Sequence, residues 1–402
     1  MNKLHPTTQL KRRSQLQLEL KTNGHVLLRW DNQQLKSGRH TLAILEAFRE
    51  PKTLKAAIAQ LQSAGHADWI ALTMTIRQLF AAGVLQDADA PTLLMAAKGF
   101  GNPSIHIAML NDRARTALYL QAIAESVRAG DVVVDLGTGS GILAMAAARA
   151  GAAQVYAIEA NSAMADVAQA NFDRNGLSGR ITLCRGWSTQ VELPQKADIL
   201  ISEIIGNNPL DEQILTNVED ARRRLLKPDA RMVPERLAVW GLPVTIPENQ
   251  IDRVRVSAET LASWQAKYGF DLAGLMEMAI RPNAPLFTIK PQKARNWPRL
   301  SHPIQLADID LRTFTSPQID TTQQRIATTN GTVNGLLLYF CAALNSQTML
   351  STHPDDANAS NHWRSPVWAT STPFTVKQGD AFSVCYQANL QHKTQVRIWR
   401  DS

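Results

Sequence analysis

Two glutamates, Glu203 and Glu212, stand nine positions apart, separated by a segment with Gly206, Asn207, Asn208 and Pro209. Residues of these types let a chain turn back on itself, so both carboxylates can meet at one point. Upstream, Gly137, Gly139 and Gly141 occupy alternate positions. Glycines so spaced after a strand let backbone approach a ligand closely, with the N–H groups of the following helix directed at it. Glu159 lies 22 positions past the first glycine, close to the ~20 expected of a carboxylate that binds both hydroxyls of a ribose. His362, followed by Trp363, adds a side chain suited to accepting a proton near neutral pH. Taken alone it would be an ordinary turn histidine; the carboxylate pair gives it a chemical reading.

The elements that must position these residues follow from patterning. Val132 to Val134 and Leu136 read as a buried parallel strand, and the Ala-rich run to Ala150 reads as a helix after the glycines. Gln154–Ile158 is a second strand, which Glu159 ends, and Ser162–Asn175 is a helix stopped by Gly176. Arg180–Cys184 and Ala197–Ser202 are the third and fourth strands, the fourth running straight into Glu203. A single helix is expected from Ile105 to Ala129, leading into the first strand. Alternation of this kind predicts a doubly wound parallel sheet with its ligand crevice at the carboxyl ends of the strands. Past Pro234-Glu235-Arg236 the chain turns β-rich, with strands at Leu237–Val244, Leu336–Phe340, Phe374–Val376, Phe382–Tyr386 and Val396–Trp399. Short strands with turn residues between them predict a sandwich or barrel, and His362 falls between two of them.

Ahead of these lies a smaller module. Residues 1–22 are polar and are expected to be loosely ordered at the start. His25–Trp30 reads as a strand, followed by three amphipathic helices carrying Leu42, Leu45 and Phe48, then Leu54, Ile58 and Leu61, then Leu72, Ile76, Leu79 and Phe80. Val84-Leu85 closes the module, which reads as winged-helix-like α+β. Its third helix offers only Arg77, too few cations for a DNA-reading helix, so nucleic acid is not the expected partner. An inert packing domain stays open as the plainer reading. The expected domains are 1–90, 96–235 and 236–402.

Composition sets bounds. The chain has 402 residues, 45% hydrophobic and 19% charged, with a formal charge of +7, and reads as globular. Three cysteines show no CxxC pair and nine histidines no HExxH spacing, so neither a disulfide framework nor a metal site is expected. No apolar run reaches a membrane-spanning length and no signal peptide is evident, so a cytoplasmic location without membrane association is expected. Arg222-Arg223-Arg224 reads as a solvated helix face.

The glycine segment has Ile142 where a dinucleotide fingerprint wants glycine. With Asp135 just upstream, it resembles the first motif of class I S-adenosylmethionine (SAM) methyltransferases, although a glycine turn in another doubly wound domain stays open. Ile105, His106, Met109, Leu110, Asp112, Arg115 and Thr116 are similar in register to the helix that precedes the glycine loop in protein arginine methyltransferases. Ser202, Glu203, Gly206 and Glu212 resemble that family's double-glutamate loop, and Asn361-His362-Trp363 its T-H-W loop. The resemblance covers about residues 96–400. It implies SAM as cofactor, held by Met109, Arg115, Asp135, Gly137, Gly139, Gly141 and Glu159, with Arg115 pairing the methionine carboxylate; Trp187 and Ser188, which depart from the family, are expected to contact the adenine in place of its usual acid. It implies Glu203, Glu212 and His362 as catalytic residues, His362 partnered by one of the two glutamates, and Phe100 and Trp363 as substrate contacts. Tyr268-Gly269-Phe270-Asp271 is similar to a family segment beside a dimerising arm, which would occupy 258–290 and make a homodimer.

The chemistry explains why such a family uses two acids. A guanidinium has a pKa above about 12 and cannot simply be deprotonated first. Two carboxylates can hold it by charge-assisted bonds and aim one terminal nitrogen at the methyl donor. The expected activity is therefore N-methylation of arginine in a protein or peptide. The N-terminal module resembles the PqqD-like domains of ribosomal-peptide biosynthesis, which capture a leader peptide as an added strand, and so implies peptide tailoring. Methylation of another amine or amidine stays open, as do an inactive peptide-binding scaffold and, third, a DNA-binding regulator, which a strongly salt-dependent shift with duplex DNA would favour. Three departures bear on substrate and product: Ala96–Phe100 replaces the family's Y-F-x-x-Y segment, Trp187-Ser188-Thr189 replaces an adenine-binding acid, and Ile204-Ile205 replaces a Trp-Met pair.

Overall fold

A computed structural model of the chain describes residues 9–13, 16–21, 25–30, 33–66, 68–87, 102–252, 256–277, 287–389 and 394–401. These form two compact units, 1–96 and 97–402. The first contains β1 (Gln9–Arg12), β2 (Gln17–Leu20), β3 (Val26–Trp30), β4 (Gln33–Ser37), α1 (Thr41–Ala47), β5 (Lys52–Thr53), α2 (Leu54–Ser63), α3 (Trp69–Ala81) and β6 (Leu85–Asp87). The three helices lie where expected, but the first turns Ile44, Leu45 and Phe48 inward and leaves Leu42 exposed. Thr53 and Asp68 cap α2 and α3 by accepting from the Ala56 and Ala71 N–H groups. Residues 1–8, where loose order was expected, lie outside the described residues, but the rest of that polar tract carries strands. β1 pairs with both β5 and β6, and β2 forms a hairpin with β3. Leu10 explains β1, because this one apolar side chain in a polar tract is fully buried.

In the second unit, β7 (Val132–Leu136), β8 (Gln154–Glu159), β9 (Ile181–Arg185), β10 (Ala197–Ser202) and β11 (Leu226–Val233) form a parallel sheet ordered β11-β10-β7-β8-β9. The helices are α4 (Pro103–Asn111), α5 (Arg113–Ser126), α6 (Ile142–Arg149), α7 (Ser162–Arg174) and α8 (Ile214–Arg224). Every residue of β7 is buried, as expected of a central parallel strand. Ser202 of β10 is in register with Leu136 of β7, so Glu203 and Gly137 leave adjacent strand ends together.

Two sequence expectations change here. The single helix from Ile105 is two helices, broken at Asp112, whose Oδ1 accepts from the Arg115 N–H at 3.2 Å and starts α5 afresh. The triple arginine is solvated only at Arg223. Arg222 donates to the Phe314 carbonyl at 2.7 Å, and Arg224 binds Asp220 and the carbonyls of Ser188 and Val191.

The rest is β-rich, as expected: β12 (Arg236–Val244), β13 (Phe287–Ile289), β14 (Ile304–Asp310), β15 (Ile319–Ile326), β16 (Gly331–Ala343), β17 (Met349–Ser351), β18 (Ser365–Val376), β19 (Ala381–Ala388) and β20 (Thr394–Arg400), with short α9 (Glu248–Ile251) and α10 (Ala258–Tyr268) after β12. One sheet is ordered β13-β18-β16-β12-β14 with β17 on β16, and a second is ordered β15-β19-β20. Leu336, Leu338 and Phe340 share one core with Phe382, Val384, Tyr386 and Ile398, closing the two sheets into a barrel-like layer pair. That core continues into Val133, Val134 and Ile201 of the parallel sheet, so barrel and sheet are packed as one body. β15, with the sequence IDTTQQRI, escaped sequence patterning because it is an edge strand with few apolar residues. Among the described residues no helix is long and apolar enough to cross a membrane, and no cluster of His, Cys, Asp or Glu could hold a metal ion.

Candidate active site

The glycine turn closes through backbone bonds: the N–H groups of Gly137 and Thr138 both donate to the Ile158 carbonyl, at 3.1 and 2.9 Å. Glu159 stands at the neighbouring strand end, where Oε2 accepts from Gly139 N–H at 2.9 Å and Oε1 from Asn161 N–H at 2.8 Å. Each carboxylate oxygen keeps a second acceptor site, which fits a ribose hydroxyl. Asp135 is buried, and its Oδ2 accepts from the Thr138 hydroxyl at 2.6 Å. Burial pushes its carboxyl up to about 7, against the Thr138 bond, which favours the charged form.

On the other side of the turn, Arg115 is buried and forms an ion pair with Glu203, also buried. Its guanidinium lies over two rings, 5.7 Å from the centre of Tyr119 and 5.9 Å from that of Trp363. The Tyr119 hydroxyl donates to the Ser202 carbonyl at 3.4 Å, and burial, then the charge of Glu203, hold that phenol well above its usual range. Two buried polar atoms have no hydrogen-bond partner here, Arg115 Nε and Asp135 Oδ1. A donor and an acceptor left open beside a glycine turn fit the carboxylate and amino group of an amino-acid moiety, and SAM carries both on its methionine end. Met109, half-buried, meets Arg115 through its carbonyl, which accepts from Nη1 at 3.4 Å.

The double-glutamate loop is tight. A Cβ at Gly206 would lie 2.9 Å from the Asn208 carbonyl oxygen and 3.2 Å from Glu212 Oε1, so the loop folds back onto Glu212 only with glycine there. Burial, then the negative charges of Glu203 and Asp211, push the Glu212 carboxyl up to about 8. The barrel loop is fastened across this one: Trp363 Nε1 donates to the Ile205 carbonyl at 2.7 Å, and Arg364 N–H to Asn207 Oδ1 at 2.7 Å.

His362 requires a correction. Its ring partner is Asp112, not a glutamate: Nδ1 lies 3.1 Å from Asp112 Oδ2, which also accepts from the His362 backbone N–H at 3.0 Å. Burial alone would raise the Asp112 carboxyl, but its hydrogen bonds with His362 and Arg115 bring it below its usual value. Sequence reasoning passed over Asp112 as a site residue. The available signal was an acid three positions before Arg115 inside an apparent helix, the spacing of an N-cap. Asp112→Asn keeps the cap but removes the anion facing Nδ1. A reaction in which His362 takes up a proton is expected to slow about 10²-fold in this variant with stability little changed, checked by steady-state rates beside a denaturation curve.

Trp187, exposed, and Ser188 follow β9, and Ser188 is fixed by Arg224, which donates to its carbonyl at 2.7 Å. Phe100 lies outside the described residues.

The ribosomal protein L11 methyltransferase (PrmA) family model matches residues 112–233, and the arginine methyltransferase oligomerization subdomain matches 250–400. The chain is 32% identical over 288 residues to an arginine N(omega)-methyltransferase of Streptomyces achromogenes subsp. streptozoticus, covering 70% of this chain and 75% of that one. It is 31% identical over 302 residues to the histone-arginine methyltransferase CARMER of Culex quinquefasciatus, with 72% of this chain and 49% of that one covered. A probable protein arginine N-methyltransferase 6 of Arabidopsis thaliana is 31% identical over 231 residues, 56% of this chain and 50% of its own length. The chain thus spans about half the length of the mosquito and plant relatives. Among solved structures, the PRMT1 enzyme-prozyme heterotetrameric complex of Trypanosoma brucei with AdoHcy superposes with a TM-score of 0.62 at 24% identity, covering 75% of this chain and 99% of that one. Protein arginine methyltransferase 10 of Arabidopsis thaliana gives 0.56 at 24%, covering 73% and 97%. Both likenesses concern the fold.

Proposed function

The chain belongs to the arginine methyltransferase family, and from that premise we propose which of its residues carry the reaction and what it modifies. It is a SAM-dependent arginine N-methyltransferase. In the proposed arrangement Gly137, Gly139, Gly141 and Glu159 hold the nucleoside of SAM, with Trp187 and Ser188 beside the adenine. Asp135 and Arg115 take its methionine end, and Met109 lies alongside. When bound, SAM supplies an electrophilic methyl group on a sulfonium. Glu203 and Glu212 grip the substrate guanidinium and favour positive charge on it as the new N–C bond forms. Nδ1 of His362 faces Asp112, which leaves Nε2 to accept the proton that must leave. The observation that carries this reading is the carboxylate pair, one member ion-paired to Arg115 at the edge of the glycine turn.

The substrate is proposed to be a peptide or protein, in keeping with the printed names of the mosquito and plant relatives. A second reading, free arginine, is favoured by the Streptomyces relative, whose name specifies arginine alone. The N-terminal unit supports a peptide. β4 is an edge strand, and Gln78 of α3 donates to its Lys36 carbonyl at 3.3 Å. Ile70 and Met74, 61% and 68% exposed, precede Gln78 at four-residue spacing on the same helix face. An extended leader peptide added along β4 would cover them. A homodimer is the proposed assembly. No residue of α10 is buried, its last residue Tyr268 and Phe270 beyond it are exposed, and so are Ile107 and Leu110 of α4. All three thiols being free suits a reducing, cytoplasmic setting.

Mass spectrometry tests the assignment on full-length protein given SAM and one of two substrates, an arginine-containing peptide or free arginine. Methyl-sized mass steps localised to arginine are expected. Methylation confined to lysine or a terminal amine would overturn it.

A further inference from the structure

Beside the site stand two cations that share no ion pair with an acid among the described residues. β13 and β18 pair antiparallel, with Phe287 opposite Val367, Thr288 opposite Pro366 and Ile289 opposite Ser365. Lys290 follows the last paired residue of β13 and Arg364 precedes the first of β18, which brings the two cations near enough for the charge of Arg364 to act on Lys290. Neither residue has a carboxylate as ion-pair partner among the described residues: Lys290 donates to the Asn361 carbonyl, and Arg364 to the hydroxyl and carbonyl of Thr288, at 2.9 and 2.7 Å. Both are thus held in place by neutral acceptors, the half-buried Lys290 with Asp112 acting on it only at longer range and Arg364 exposed to solvent. Burial, then the charge of Arg364, hold the Lys290 ammonium below its usual range, and Asp112 opposes that shift. The pair also touches the reaction centre on both sides. Asn361 immediately precedes His362, and the Arg364 backbone N–H binds Asn207 in the double-glutamate loop.

We propose that Lys290 and Arg364 form a carboxylate subsite at the mouth of the active site, which selects an arginine bearing its own free carboxylate. This rests on the arginine reading above and narrows it. Glu203 and Glu212 would take the cationic end of the substrate and the two cations its anionic end. A free arginine and the C-terminal arginine of a peptide both present that carboxylate, whereas an arginine inside a peptide does not.

Calorimetric binding and methyl transfer are measured on the full chain with four ligands: L-arginine, its decarboxylated analogue agmatine, a peptide ending in arginine, and the same peptide as its C-terminal amide. The acid of each pair is expected to bind about tenfold or more tightly than its partner, the weight of one charge-assisted bond. Which acid binds better identifies the source. Lys290→Gln and Arg364→Gln should bring the acid-to-neutral ratio to within about twofold, while Lys290→Arg retains it, so loss of folding in one variant does not spoil the test. Equal affinity within both pairs, or a ratio kept in both neutralised variants, overturns the subsite and leaves arginine methylation standing. Acid-selective binding without transfer to any of the four supports the subsite and overturns the arginine reading.

Discussion

Glu212→Gln lowers methyl transfer to arginine by about 10²–10³-fold, the scale seen when one preorganised electrostatic group is removed from a transition state. The substitution is nearly isosteric, so the loop closed by Gly206 should stay shut and SAM should still bind. What disappears is one of the two charges that compensate the guanidinium. Glu203→Gln should match it in rate but also destabilise the protein, because it leaves buried Arg115 without its anionic partner. Denaturant unfolding of both variants separates the two roles. The raised Glu212 carboxyl also sets a pH dependence. In the substrate-free enzyme this group is largely protonated at neutral pH and ionises through about 8. kcat/KM for arginine should therefore rise with pH through that region, and the limb should vanish in Glu212→Gln. A profile that is flat or falling there would show that the second charge is not needed at the start of the reaction.

The second large effect belongs to Gly141. Its φ of +84° is the left-handed conformation, and an added Cβ would lie 2.4 Å from Cε1 of Phe172, itself fully buried. Alanine there carries a backbone cost of about 1–2 kcal/mol and an overpacking cost of about 1–3 kcal/mol. Gly141→Ala should lose stability on that scale. SAM affinity should drop more than tenfold, because the first turn of α6 must shift away from the ligand. Calorimetric titration with SAM and a denaturation curve read both effects. Stability within about 0.5 kcal/mol of the native chain, together with unchanged affinity, would refute the steric argument.

The parts of this molecule legible in its sequence are those where local pattern and tertiary role coincide. Val132–Leu136 announces a central strand because all its residues are apolar or buried, and the glycines after it announce the turn. The carboxylate loop was legible because strand, glycine and second acid follow in sequence. Asp112 was not, since its two jobs are performed for partners three and 250 positions away, and only the fold unites them. For the same reason His362 was assigned the wrong acid: sequence spacing gives no preference among Asp112, Glu203 and Glu212. β1 and β15 were missed because pairing partners, not apolar content, make them strands.

The ion pair between Arg115 and Glu203 carries a consequence for how the two ligands would share the site. In the proposed arrangement a guanidinium of the protein itself already occupies one of the two acids that the substrate guanidinium needs. A carboxylate arriving with SAM would draw on Arg115 and loosen its hold on Glu203, and by thermodynamic reciprocity an arginine bound at Glu203 would release Arg115 for the cofactor to the same degree. Each ligand would then bind better with the other present, coupled through one side chain.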